Sequence, residues 1–373
     1  MKIILLALVL SVALAVGIYL AQPGVPPKMA SIHRGVLQRL QARQAVPLEE
    51  NGYPLLERLL MQGSTPELLA VRELADTFAT QHRPTAAQLA AFERHKPKLD
   101  EAIDRPALVW PCSSPGNSAQ LTQLVALRSL AMAYRAHGQP GSYRRCWQLG
   151  HRMLANESVN ELTLATSVLM IALEPLQEQV AGGRLTRPGL RELQAFLLAH
   201  QVPREALVRA TDYNAYEQSV LTDMLKKGQF QYPGMPATGP PTMLEAAWLD
   251  HQLRESNRTY LRFRPCFLEV VPFASKGLSA RKSAGWLDFL SPINLPTLEQ
   301  CTLQYRHLLD AQQLLLASLA LQLDPEARLD DPRVEWDPST RLLRLEDREV
   351  YLNSGRPGPR AETAPQPSPP PPP

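Results

Sequence analysis

The sequence predicts a mainly α fold: an irregular helical bundle built from αα-hairpins, a small β appendage near the C-terminus, and one N-terminal transmembrane helix. Three observations carry this expectation. Residues 3–21 form an unbroken, uncharged apolar run. Across the middle of the chain, apolar residues recur at helical spacing between Gly and Pro breakers. From Val334 onward, the pattern shortens to that of strands separated by turn residues.

The run from Ile3 through Leu20 to Ala21 spans roughly 28 Å as a helix, close to the hydrocarbon core of about 30 Å. The competing reading is a cleaved secretory signal, with Lys2 in front and an A-x-A site at Ala13-Leu14-Ala15. Because the apolar run continues through Val16, Ile18, Tyr19 and Leu20, a retained anchor is preferred. A cut after Ala21 would also place bulky Tyr19 where a small residue is needed. Lys28, Arg34, Arg39 and Arg43 come after the run, and a literal positive-inside count holds the large domain in the cytoplasm. Signal-like segments at an extreme N-terminus export the domain behind them, so export is the expectation. Leu162–Leu173 is also apolar, but it is short and bounded by Glu161 and Glu174, which fits a buried core helix.

Composition narrows the function classes. A hydrophobic fraction of 45% supports a packed core. The net charge is only +3 with dispersed Lys and Arg, which argues against nucleic acid as a partner. Cys112, Cys146, Cys266 and Cys301 are candidates for disulfides in an exported chain, and the similar 112–146 and 266–301 intervals make local pairing attractive. The sequence leaves all pairings open, and ordinary buried thiols are the competing reading. The close ligand pairs of a zinc site are missing, and no cofactor is expected.

The elements run in order along the chain. Residues 1–21 are the anchor, and 22–49 hold a proline-rich stalk (Gln22–Lys28) and a first helix. Residues 50–228 form a helical bundle. Within it, Pro54–Gln62 is closed by Gly63, Ser64-x-x-Glu67 has capping-box spacing, and Thr85-x-x-Gln88 opens a helix that Pro97 kinks or ends. Trp110–Asn117 reads as a loop. Leu124, Leu127, Ala131 and Tyr134 then mark one helix face, which His137-Gly138 ends. Gln139–Ser142 turns into a second helix through Leu154, completing an αα-hairpin similar to one tetratricopeptide-type unit, without a second copy at constant period. Further helices are expected at about 157–181, 187–200, 203–227, 242–260 and 297–323. Residues 229–241 form a linker loop that divides the bundle from a C-terminal part, 242–356. Strands are expected at Val334–Trp336, Arg341–Leu345 and Val350–Leu352, with Asp337–Thr340 turning between the first two. Residues 357–373 form a proline-rich tail.

Candidate chemistry is sparse. His251 and Glu255, four apart on one helix, can offer two metal ligands, although such a pair is more often a solvated face. Gly277-Leu278-Ser279-Ala280 approaches a nucleophile elbow, but Arg281 replaces the second glycine. Glu93, Asp100, Glu101 and Asp104 punctuate one charged helix balanced by Lys96, Lys98 and Arg105. The segment Tyr260–Phe273 is rich in aromatics, suiting either a peptide groove or a core strand.

Several segments resemble a loose group of membrane-anchored, helix-rich bacterial envelope proteins. They are Glu50-Asn51-Gly52-Tyr53, the 127–154 hairpin, the 162–178 helix, and the 308–323 helix with WDPSTRLLRL and VYLNSGRPG behind it. The last part is similar to a degenerate pseudopilin tail. Arg341 stands at the usual turn glycine, however, and Arg356-Pro357-Gly358-Pro359 replaces the acidic ending. The resemblance implies a single-pass inner-membrane protein with a periplasmic domain and carries no activity with it. The leading expectation is therefore a non-enzymatic scaffold or interaction module with a protein partner. The alternative is an envelope hydrolase, such as a peptidoglycan-directed one, with a dispersed site. A deep pocket gathering His251, Glu255 and another acid favours the hydrolase, whereas a shallow apolar groove between hairpins favours the binding module.

Overall fold

A computed structural model describes residues 25–110, 119–229, 242–279, 295–329, 331–346 and 348–352. The expected anchor at 3–21, most of the 110–117 loop, nearly all of the 229–241 linker and the 357–373 tail lie outside these residues. Among them run eleven helices: α1 (Pro27–Gln44), α2 (Tyr53–Leu60), α3 (Pro66–Ala79), α4 (Ala86–Asp104), α5 (Ala119–His137), α6 (Pro140–Met153), α7 (Val159–Ala181), α8 (Arg187–Ala199), α9 (Glu205–Lys226), α10 (Met243–Glu269) and α11 (Leu295–Leu323). A 3-10 turn (Phe273–Lys276) comes after α10, and three short strands come after α11: β1 (Glu335–Asp337), β2 (Leu342–Leu345) and β3 (Arg348–Tyr351). The mainly helical class with a small C-terminal sheet is as the sequence predicts.

The chain forms two compact units. One comprises residues up to Ile171 together with Val202–Leu308; the other comprises Ala172–Gln201 and the chain from Leu309. Residues on both sides of the 229–241 segment therefore belong to the same unit, and that segment does not mark the division. The boundaries fall inside α7, between α8 and α9, and inside α11.

In the first unit, α3 packs on α4 and α5, α5 on α6, α2 on α3 and α4, and α9 on α10 and α1. Local chemistry sets where these helices start. Pro27 supplies a ready-made φ at the first position of α1, so the helix begins inside the expected stalk. Thr65 caps α3 by accepting from the Leu68 N–H at 3.1 Å, with Pro66 at the first helical position. The cap is thus one residue beyond the expected Ser64 box, and Glu67 instead accepts from Lys98 Nζ at 2.8 Å. Thr85 and Gln88 form the expected capping box of α4. Gly138 takes a left-handed φ of +77° and lets α5 end where α6 begins.

Asn51 ties the start of α2 to the strand-like segment after α4. Its amide donates to the Val109 carbonyl at 2.6 Å. Its Oδ1 accepts from the Val109 N–H at 3.0 Å and the Tyr53 N–H at 3.1 Å. Next to it, the Gly52 N–H donates to the Ala107 carbonyl at 2.8 Å. This approach has no room for a side chain, because a Cβ on Gly52 would lie 1.9 Å from the Ala102 carbonyl oxygen.

Of the two expectations at Pro97, a kink or an end, the end does not occur, because α4 continues through it; α10 continues through Pro265 to Glu269, nine residues past the expected end at 260. Tyr260, Phe263 and Phe267 fall at helical spacing and are buried together against Phe273, so this segment is a core helix rather than a strand. α10 ends on Val270 at φ +53°.

In the second unit, β1-β2-β3 form an antiparallel sheet with Trp336 opposite Leu343 and Leu343 opposite Val350. Leu343, Leu345 and Leu352 pack against Leu314, Ala317 and Leu321 of α11. The Asp337 carboxylate accepts from the Ser339 N–H at 2.9 Å and from the Ser339 and Thr340 hydroxyls, each at 2.6 Å. Arg341, at the position where a glycine is usual, takes a left-handed φ of +54° and donates from Nε to the Leu352 carbonyl at 2.9 Å.

This geometry has two measurable outcomes. Gly52→Ala lowers stability by about 2–3 kcal/mol in chemical denaturation, because a backbone carbonyl has to move; an unchanged midpoint would contradict the close approach. The hydroxyl and amide donors around Asp337 hold its carboxyl down to about 2. The turn's contribution is present above the ordinary carboxylate value and is lost only as pH falls through about 2. Carboxyl-carbon NMR of the labelled protein reads this titration directly; a midpoint near 4 would contradict it.

Candidate binding groove

The groove is built on α7. Its Ser158–Glu161 start is a reciprocal cap: the Ser158 N–H donates to Glu161 Oε2 at 2.8 Å, and the Glu161 N–H donates to Ser158 Oγ at 3.2 Å. Leu162, Ala165, Val168, Leu169, Ala172, Leu173, Leu176 and Val180 are buried along its length. It is long and apolar enough to cross a membrane, yet most of its apolar window is buried, as the core-helix reading of 162–173 expects. α6 approaches it closely at Gly150, where a Cβ would lie 2.7 Å from Leu169 Cγ.

On the opposite side of α7, Asn160, Thr163, Leu164, Ser167 and Met170 form a stripe at helical spacing that lines an open cavity of about 620 Å³. Val125 and Arg128 of α5 and Gln304 and His307 of α11 complete the lining, all within the first unit. Val125 is 60% exposed, a large apolar side chain left facing solvent. The Thr163 hydroxyl lies 2.8 Å from the Val159 carbonyl and 2.9 Å from the Cys301 thiol, and Thr166 donates to the Leu162 carbonyl at 2.8 Å. By contrast, the side chains of Asn160, Ser167 and Gln304 make no hydrogen bond among the described residues, and Arg128 and His307 make no ion pair there. The arrangement offers apolar contact, amide and hydroxyl groups, and positive charge to a bound segment.

A second polar region lies in the interior around the start of α7. Arg39 donates to both Glu157 oxygens, at 2.9 and 3.1 Å. Arg43 reaches the Trp110 carbonyl at 3.1 Å and Asn156 Oδ1 at 2.7 Å. Burial raises the Glu157 carboxyl, and Arg39 opposes the shift. The Glu217 carboxyl is raised by burial and by the nearby Glu161. Asp212 accepts from Arg264 at 2.9 and 3.0 Å and from the Tyr260 hydroxyl. These pairs fasten α1, α9 and α10 around the interior.

The sequence candidates fall elsewhere. His251 and Glu255 lie on α10, outside the groove lining, and Glu255 pairs with Arg258 at 2.6 Å. No group of three or more His, Cys, Asp or Glu able to hold a metal occurs among the described residues. Cys146, Cys266 and Cys301 are buried free thiols, as in the ordinary-thiol reading, rather than in the 266–301 pairing that the sequence leaves open; Cys112 lies outside the described residues. Cys301 faces Thr163 on α7, and Cys266 lies in the last turn of α10 with its carbonyl accepting from the Val271 N–H at 3.0 Å. Burial raises all three thiols. Gly277 stands after a 3-10 turn rather than a strand, which removes the nucleophile-elbow setting for Ser279. On α4, Asp100 accepts from Lys96 and from the Tyr134 hydroxyl at 2.6 Å, while Asp104 pairs with Arg145 of α6.

Sequence reasoning misses the groove because its walls come from three distant parts of the chain. The one local signal is Asn160, Thr163 and Ser167 standing together on a face of an otherwise apolar helix. Comparison of the chain with protein-family models, with curated proteins and with solved structures gave no match.

Glu217 generates a pH-dependent outcome. A half-buried acid with a raised folded-state pKa binds more protons than the unfolded chain, so its cost appears as pH rises above the ordinary value of 4.5. Glu217→Gln therefore raises the melting temperature at pH 7 and leaves it nearly unchanged at pH 4; equal effects at both values would exclude this origin.

Proposed function

We propose that the chain is a non-enzymatic interaction module, anchored by residues 3–21 in a bacterial inner membrane and presenting its helical domain to the periplasm. The observation that carries this reading is the open groove between α5, α7 and α11. Three helices there leave an exposed Val125, free amide and hydroxyl groups, and an Arg128 without an ion pair among the described residues on one surface. A solvent-facing surface of mixed apolar and polar chemistry suits recognition of a protein segment. The α5–α6 hairpin, with its short Gly/Pro turn, carries Arg128 on the groove wall, and a helix–turn–helix unit of this kind suits a binding surface. The resemblance to helix-rich envelope proteins agrees with this assignment.

A photoreactive residue at Val125, activated in intact membranes, tests the reading. Leu48, 72% exposed and outside the groove lining, is the control position. A discrete crosslinked protein from Val125 but not from Leu48 is expected. Return of the uncrosslinked chain alone from both positions would remove the basis for an interaction module.

A further inference from the structure

Resting on that reading, we propose that the groove's occupant is an extended, acidic peptide segment whose carboxylate, side-chain or terminal, is held between Arg128 and His307. Charge is the first argument. The permanent cation Arg128 and the imidazole of His307, from different helices, line the cavity; none of its described lining residues is acidic, and neither has an ion pair among the described residues. A guanidinium at the edge of a partly apolar groove is complemented by a carboxylate, and Arg binds it through a planar fork of donors.

The second argument separates a peptide from an acyl chain. Asn160 and Ser167 lie along α7, with Gln304 on the facing helix, and none of the three uses its side-chain hydrogen-bonding capacity among the described residues. Asn and Gln each carry both a donor and an acceptor, as a peptide group does. A row of such groups pairs with an extended backbone, whereas it opposes a hydrocarbon chain, whose burial would leave them without partners. The stripe from Asn160 to Met170 extends about 15 Å along the helix, the length of four or five extended residues. Leu164, Met170 and Val125 supply the apolar contact for alternate side chains of the bound strand.

The test uses the full chain in detergent micelles and fluorescence anisotropy. The probes are short labelled peptides that alternate leucine with glutamate, lysine or glutamine. The glutamate peptide is expected to bind best. Arg128→Glu should weaken it by about tenfold, the worth of one charge-assisted pair, and should strengthen the lysine peptide. Ser167→Trp, which fills the groove while leaving both bases in place, should weaken all three. Equal affinity for the three peptides, or insensitivity to both substitutions, would overturn the proposal. So would Arg128-dependent binding to phosphatidylglycerol vesicles with no peptide binding. A Val125 crosslink whose yield is unchanged by Arg128→Glu would reject the acidic occupant while leaving the interaction module standing; absence of any Val125 crosslink in the chain with Arg128 intact would reject both.

Discussion

The need to cover α7 governs the first unit. A long apolar helix in water has to bury its side chains, each worth about 1.5–3 kcal/mol. The chain meets this by bringing α6 in at Gly150, where only a glycine fits, and α11 in at Cys301. The start of the helix is fixed by the Ser158–Glu161 cap, and Glu161 also accepts from the Trp110 indole. Glu157 and Asn156, just before the cap, hold Arg39 and Arg43 of α1. One turn of chain therefore decides where α7 begins and where α1 lies. The stripe that α7 leaves uncovered is the groove.

Among the described residues, three helices carry an internal proline: Pro97 in α4, Pro175 in α7 and Pro265 in α10. Each removes a backbone hydrogen bond and costs about 3 kcal/mol. Local propensity would end these helices, and tertiary packing overrides it. Phe92, Leu99 and Ile103 flank Pro97 and are fully buried, as are Phe263 and Phe267 around Pro265. The packing of both sides of the helix holds it together across the break.

The same balance decides which parts of the molecule are legible in the sequence. Short-range chemistry reads well: the Thr85–Gln88 box, the Gly138 turn and the strands near 335–351 depend on residues within a few positions of one another. Boundaries at Pro97 and Pro265 read poorly because the forces that keep those helices going come from distant residues. The aromatic spacing Tyr260, Phe263, Phe267 is a helical signal, but the proline between them obscures it. Cap placement slips by one residue at Ser64 and Thr65 because both hydroxyls suit the role, and Pro66 decides between them. The groove is the least legible feature, since residues near 125, 160–170 and 304–307 meet only after folding.

The three buried thiols change what the cysteines mean. Cys146, Cys266 and Cys301 act as small apolar side chains inside packed helices, and burial keeps them protonated. The packing they join does not depend on an oxidant. The described fold therefore suits a reducing and an oxidising redox poise alike, and these three cysteines carry no address for the chain.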